Sequence, residues 1–254
     1  MSVVLVHGNP ETAAVWSPLV AALGRDDVTP LSPHGFGAPI PDRWGATVEE
    51  YRQWLIGELE ALGRPVDLVG HDWGGLHAVL VAMTRPDLLR SWATDAIGVF
   101  DPDYVWHDLA QTWQTPGAGE EAVAMMARAA PQQRADQLTS LGLTAEVAEQ
   151  LATAYNDTMG RCILALYRSA AQPVMAQLGH TLPAAAQRPG LALLPTEDHY
   201  VGTEQVRRRA AERAGARIEV LEGLGHWWMV QDPACVPMCS PDSGPRFPTD
   251  RATA

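Results

Sequence analysis

The densest concentration of potential chemistry in the chain is Val66-Asp67-Leu68-Val69-Gly70-His71-Asp72-Trp73-Gly74-Gly75. An apolar run with strand character gives way to glycines on both sides of one acidic residue, and a helical pattern starts at once. Glycine lets the backbone pass through a sharp strand-to-helix turn. A turn of that kind pushes its central side chain, here Asp72, into the cleft above the strand. The plainer reading is a glycine-rich turn in which Asp72 caps the helix. The chemical reading is a nucleophile elbow. A carboxylate is already ionised at neutral pH, so its attack needs no base. It can displace a leaving group from a saturated carbon and remain as an alkyl ester on the protein. Serine at that position would instead point to carboxylic ester substrates.

The elements around this turn alternate. Val3–Val6, Val28–Leu31, Val66–Val69, Trp92–Ile97, Leu191–Leu194 and Arg217–Leu221 read as short strands. Helical patterns run over Trp16–Leu23, Gly74–Leu89 and Thr203–Ala214, and Thr47 with Glu50 forms a capping box for a helix through Leu62. Alternating strands and helices predict a mostly parallel sheet with helices on both faces. From about residue 99 to 188 the strands stop and the segments are alanine-rich and helical. This insertion is expected to form a cap over the carboxyl ends of the strands, where such sheets bind ligands. The expected division is therefore a core of residues 1–98 and 189–232, a cap of residues 99–188, and an irregular proline-rich tail of residues 233–254. A helix closing the sheet is expected to be missing from that tail.

Four motifs in this order, covering nearly the whole chain, resemble the α/β-hydrolases that use an aspartate nucleophile, the epoxide hydrolases and haloalkane dehalogenases. The first is His7-Gly8-Asn9-Pro10-Glu11 and the second the Asp72 turn. The third is Leu191-Ala-Leu-Leu-Pro-Thr-Glu-Asp198, and the fourth Glu222-Gly223-Leu224-Gly225-His226-Trp227-Trp228. The resemblance implies the α/β-hydrolase fold with an inserted helical cap. It makes Asp72 the nucleophile, His226 the base and Asp198 the acid that orients it, in the chain order of that fold. Glu197 is the neighbouring alternative in register, and Asp95 at the end of the preceding strand is a second candidate acid. The backbone N–H groups of Asn9 and Trp73 would form the oxyanion hole. The plain alternatives are a surface histidine at position 226 and an ordinary turn at Asn9-Pro10.

The two subfamilies differ in the leaving group. A halide needs only N–H donors, and Asn9 and Trp73 are similar to the pair that dehalogenases use. An epoxide oxygen needs a proton, and Ile163-Leu-Ala-Leu-Tyr167-Arg168 is similar to the segment that carries one acidic tyrosine in epoxide hydrolases. A second tyrosine is not evident. Leu109 stands in its place, with Tyr104, Trp106 or His107 as substitutes. Tyr167 as a helix-packing aromatic is the plain reading. Epoxide hydrolysis is favoured, dehalogenation is the alternative, and a non-catalytic binding protein of the same fold is a third reading.

Composition narrows the partners. The 254 residues carry a formal net charge of −12, with 46% hydrophobic and 19% charged residues. Such a balance suits a soluble enzyme and repels nucleic acid and anionic lipid. Three cysteines give no disulfide framework, and no apolar run approaches the roughly 18 residues of a membrane helix. With no secretory n-region ahead of Val3, a cytoplasmic protein is expected. No Cys or His spacing suggests a metal, and the elbow lacks a dinucleotide fingerprint, so no cofactor is expected. The expected ligand is a small apolar or aromatic molecule. Apolar sheet surface left uncovered at the tail would favour a homodimer.

Overall fold

The computed structural model describes residues 2–235. Six strands form one sheet in the order β2-β1-β3-β4-β5-β6: β1 Val3–Val6, β2 Val28–Leu31, β3 Val66–Gly70, β4 Leu89–Thr94, β5 Gly190–Pro195 and β6 Ala216–Leu221. Every pairing is parallel. β1, β3 and β5 are buried throughout, as expected for strands covered on both faces. Pro30, which cannot donate to a neighbouring strand, sits in half-exposed β2 at the sheet edge.

Period-2 alternation divides the core. Val4, Val6, Leu68, Trp92, Ala192 and Leu194 face one layer, with α2 (Val48–Ala61), α3 (Trp73–Thr84) and α10 (Glu204–Arg213). Val3, Leu5, Val69, Ala93, Leu191 and Leu193 face the other, with α1 (Ser17–Leu23) and α11 (Trp228–Gln231). α11 lies ahead of the expected tail, at the end of the expected core. Trp228, Met229 and Val230 cover the sheet beside α1, so a short closing helix is present before the tail. The expected irregular tail, beyond residue 235, lies outside the described residues.

Two boundaries differ from the sequence reading. α3 ends at Thr84 rather than Leu89, because Pro86 disfavours helical backbone at Arg85, which lies at φ −137°, ψ 57°. β4 correspondingly begins at Leu89 and ends at Thr94, and residues 97–100 form a 3-10 turn.

Between β4 and β5 the chain is helical: α4 (Asp108–Gln114), α5 (Ala118–Arg128), α6 (Pro131–Ser140), α7 (Ala145–Ala154), α8 (Asp157–Ser169) and α9 (Val174–Leu178). Arg134 on α6 ties two of these ends together. Its guanidinium donates to the carbonyls of Met126 and Ala129 at the end of α5 and of Ala152 in the last turn of α7. A cation at two helix C-termini satisfies carbonyls that the helices leave unpaired. Among the described residues no helix is long and apolar enough to cross a membrane.

Candidate active site

The sheet reverses its order between β1 and β3, and the site lies at the carboxyl ends of those strands, where parallel sheets open a crevice. β3 ends at Gly70 and α3 starts at Trp73, so His71 and Asp72 alone make the turn. Asp72 lies at φ 49°, ψ −122°, a conformation costing about 1–3 kcal/mol that persists only where its surroundings enforce it. The Asp72 N–H donates to Asp95 Oδ1 at 2.8 Å, and the His71 N–H to the Val6 carbonyl at 2.9 Å. α3 meets β1 so closely that a Cβ on Gly74 would lie 2.1 Å from the Val6 carbonyl oxygen. On the other side, a Cβ on Gly8 would lie 2.1 Å from Asp72 Oδ2.

The Asn9 N–H donates to Asp72 Oδ2 at 3.1 Å. The Trp73 N–H is one of the first amides of α3, which have no acceptor within the helix. One backbone donor, the Asn9 N–H, thus reaches the Asp72 carboxyl, which stands at the N-terminal end of a twelve-residue helix. Burial still dominates, pushing the Asp72 pKa up from 3.8 to about 6 against the lowering influence of His226 and His71.

His226, in the loop after β6, bonds through Nδ1 to Asp198 Oδ2 at 2.9 Å. Asp198 follows β5, and its other oxygen accepts the Tyr200 N–H at 2.9 Å. Burial opposes charge on both partners, but their mutual attraction outweighs it. The Asp198 pKa is lowered and that of His226 raised. Glu197 is exposed, and the carboxylate bonded to His226 Nδ1 is that of Asp198. Asp95, the second candidate for the acid, does not meet His226. It accepts hydrogen bonds from His71 Nδ1 at 2.6 Å, from the Trp228 indole at 2.7 Å and from the Asp72 amide.

Asp72 and His226 face a cavity of about 190 Å³ whose polar end also carries Asn9, His107, Tyr167 and Tyr200. The rest of the wall is largely apolar, with Trp113, Met126, Leu138, Leu141 and Leu151 from the helical segment. Both polar atoms of the Asn9 side chain are buried without a partner. Tyr167 is buried against Trp73, with ring centroids 5.1 Å apart and the rings nearly perpendicular, and burial and Asp72 raise its pKa well above 10. Trp73 and Trp106 stack on each other behind Tyr167 and do not line this cavity, contrary to the expectation that both would contact the leaving group. His107 does line it. Its Nδ1 accepts the Ala110 N–H at the start of α4, and burial lowers its pKa to about 4, so it is neutral with its proton on Nε2. Leu109, in the place of the second tyrosine, lies 42% exposed at the cavity mouth. Tyr104 is turned away and donates to the Tyr200 carbonyl.

Sequence reasoning passed over Tyr200, two residues beyond Asp198, and the partners of His71. Glu11, His71 and His226 bring donor atoms within 4.8 Å of one another, the one such group among the described residues. Hydrogen bonds already occupy Glu11, both nitrogens of His71 and Nδ1 of His226, which leaves His226 Nε2 as the open donor atom of the histidines. A metal therefore has no ready set of ligands here.

Residues 3–236 match the model of the alpha/beta hydrolase family, and the chain belongs to that family. It is a hydrolase of the α/β type. Over 92 residues it is 32% identical to an (E)-2-((N-methylformamido)methylene)succinate hydrolase of Acinetobacter baylyi, a match spanning only 35% of each protein. Among solved structures it resembles the haloalkane dehalogenase DbeA of Bradyrhizobium elkanii, with a TM-score of 0.67 and 20% identity over 92% of this chain and 86% of that one. NosK of Streptomyces actuosus gives a TM-score of 0.60 and 25% identity over 91% and 92%.

Proposed function

We propose that the protein is an epoxide hydrolase that works through an ester on Asp72, with residues 99–188 as the lid over the reaction. The observation that carries this reading is Tyr167, which faces the Asp72 cavity with its ring against Trp73. Among the described residues none accepts the Tyr167 hydroxyl proton, which is left for a ligand. One carboxylate oxygen of Asp72 attacks a ring carbon, the C–O bond breaks, and the departing oxygen takes the Tyr167 proton. His226 Nε2 then removes a proton from water as the water attacks the carboxyl carbon of the ester. The Asn9 and Trp73 N–H groups hold the oxyanion. Collapse releases the diol and the Asp72 carboxylate, and the proton held on His226 returns to the tyrosinate. The apolar wall favours a small apolar or aromatic epoxide.

Asn9 favours a second reading, release of halide from a haloalkane. Its buried amide has no partner and lines the same cavity, and an unpaired buried donor calls for a ligand. The similarity to a haloalkane dehalogenase fold is in keeping with that alternative. The test is a panel of aryl and alkyl epoxides and bromoalkanes, scored in parallel for diol and free halide. Diol without halide is the expected result. Halide without diol assigns the cavity to Asn9 and makes Tyr167 a packing residue. Neither product on any substrate overturns both readings.

A further inference from the structure

Beneath the nucleophile lies a buried group that the ester mechanism leaves without a task. The His71 ring is fully buried, with Nδ1 2.6 Å from Asp95 Oδ2 and Nε2 3.2 Å from Glu11 Oε1. Each carboxylate then holds two other groups. Asp95 accepts the Asp72 amide and the Trp228 indole N–H. Glu11 accepts the Gly8 amide at 3.2 Å and the Trp227 indole N–H. The amides belong to the nucleophile turn and to the loop that offers the Asn9 N–H. The indoles belong to the two residues that follow His226. Four loops from opposite ends of the sequence therefore meet on one imidazole.

We propose that His71 is a positioning residue: a doubly protonated imidazole, bolted between Asp95 and Glu11, that aligns the Asp72 turn, the Asn9 loop and the His226 loop as one unit and places a fixed positive charge behind Asp72. The hydrogen-bond inventory supports the charge. Carboxylates only accept, so two ionised partners require an N–H on both ring nitrogens. Burial opposes this charge, but Asp95 and Glu11 outweigh it and raise the His71 pKa well above 6.5, while the Glu11 pKa falls to about 2. The charge acts on both reacting groups, favouring ionised Asp72 and disfavouring protonated His226, whose ring centroid lies 4.5 Å away. The groups facing His71 are Asp95, Glu11, Asp72, His226, His7 and Asp198.

The charge itself is tested without any substrate. In 15N-histidine spectra of the wild-type protein, His71 should keep both ring protons from pH 6 to pH 9 and lose neither. A neutral ring at pH 8, with one unprotonated nitrogen, overturns the proposal whatever the protein hydrolyses. The alignment rests on Asp72 being the nucleophile and is read from single-turnover formation of the Asp72 ester against pH. In His71→Gln, which keeps one donor and loses the charge, the acid limb should move up by about one pH unit. A slower rate with an unmoved acid limb would reduce His71 to ordinary packing. Ester formation in neither protein would refute the nucleophile and leave the spectroscopic test standing. Should His71→Gln fail to fold, the wild-type spectra still decide.

Discussion

Replacing Asp72 by asparagine is expected to stabilise the protein, little in acid and most at neutral and alkaline pH. Burial raises the Asp72 pKa from 3.8 to about 6 in the folded chain. As pH rises, the unfolded chain loses this proton first, so wild-type stability falls through the window between those values and then levels off. The cost at this one group comes to less than about 1 kcal/mol at pH 4, about 2 at pH 5 and about 3 above pH 7. Asparagine has no charge to bury, and its side-chain oxygen can still accept the Asn9 N–H where Asp72 Oδ2 does now. Titrating groups remote from Asp72 cancel in the difference between variant and wild type; His226, whose pKa the Asp72 charge raises, does not. The assay is denaturant unfolding of both proteins at pH 5 and pH 8, with thermal melting alongside. A gain of about 3 kcal/mol at pH 8 corresponds to roughly 6–12 °C for a chain of this size. An equal offset at both pH values, or a less stable variant at pH 8, would refute the reasoning.

Four further outcomes are expected. His226→Gln should form the Asp72 ester and fail to hydrolyse it, visible as an intact-mass increase equal to the substrate; absence of the adduct would remove His226 from the second step. The two steps should also have different acid limbs. Ester formation should fall as pH drops through about 6, where Asp72 protonates, and ester hydrolysis should fall below the raised pKa of His226. Presteady-state rates across pH separate them, and coincident limbs would contradict the assignment. Tyr167→Phe should abolish epoxide opening and spare any halide release, whereas Asn9→Ala should do the reverse, in product assays of each variant. Arg134→Met should strip the donors from the carbonyls closing α5 and α7 and cost about 2–3 kcal/mol in urea unfolding; an unchanged midpoint would show those contacts to be incidental.

Much of the fold was legible because it is periodic or local. The apolar runs that became β1 and β5 are continuous, that of β3 is broken only by Asp67, and Thr47 with Glu50 forms the capping box that its spacing implies. The end of α3 was misjudged where an apolar pattern ran across Pro86 and outweighed a local backbone constraint. In the site, Asp72, Asn9, Asp198 and His226 are each marked by a glycine, a proline or a strand end, and the structure brings all four together. The contacts between loops left no such mark. Trp227 meets Glu11 across 216 positions, and His71 meets Asp95 and Glu11 from a third strand end. Loops have no repeat that tells which side chains will face one another, so these contacts became visible only in three dimensions. Trp73 shows the converse. Its type suited a halide donor, but packing set its indole against Tyr167.

The long helical excursion leaves the sheet from β4 and returns to the adjacent β5, where Thr94 pairs with Ala192. Its two anchor points are therefore fixed by neighbouring strands, independently of its length. On the proposed mechanism the groups that make and break the ester stay with the sheet, while Tyr167 travels with the excursion. Transplanting that excursion between relatives of this fold would exchange the bond that is cleaved and keep the machinery of hydrolysis, making the seam between β4 and β5 a natural site for recombination.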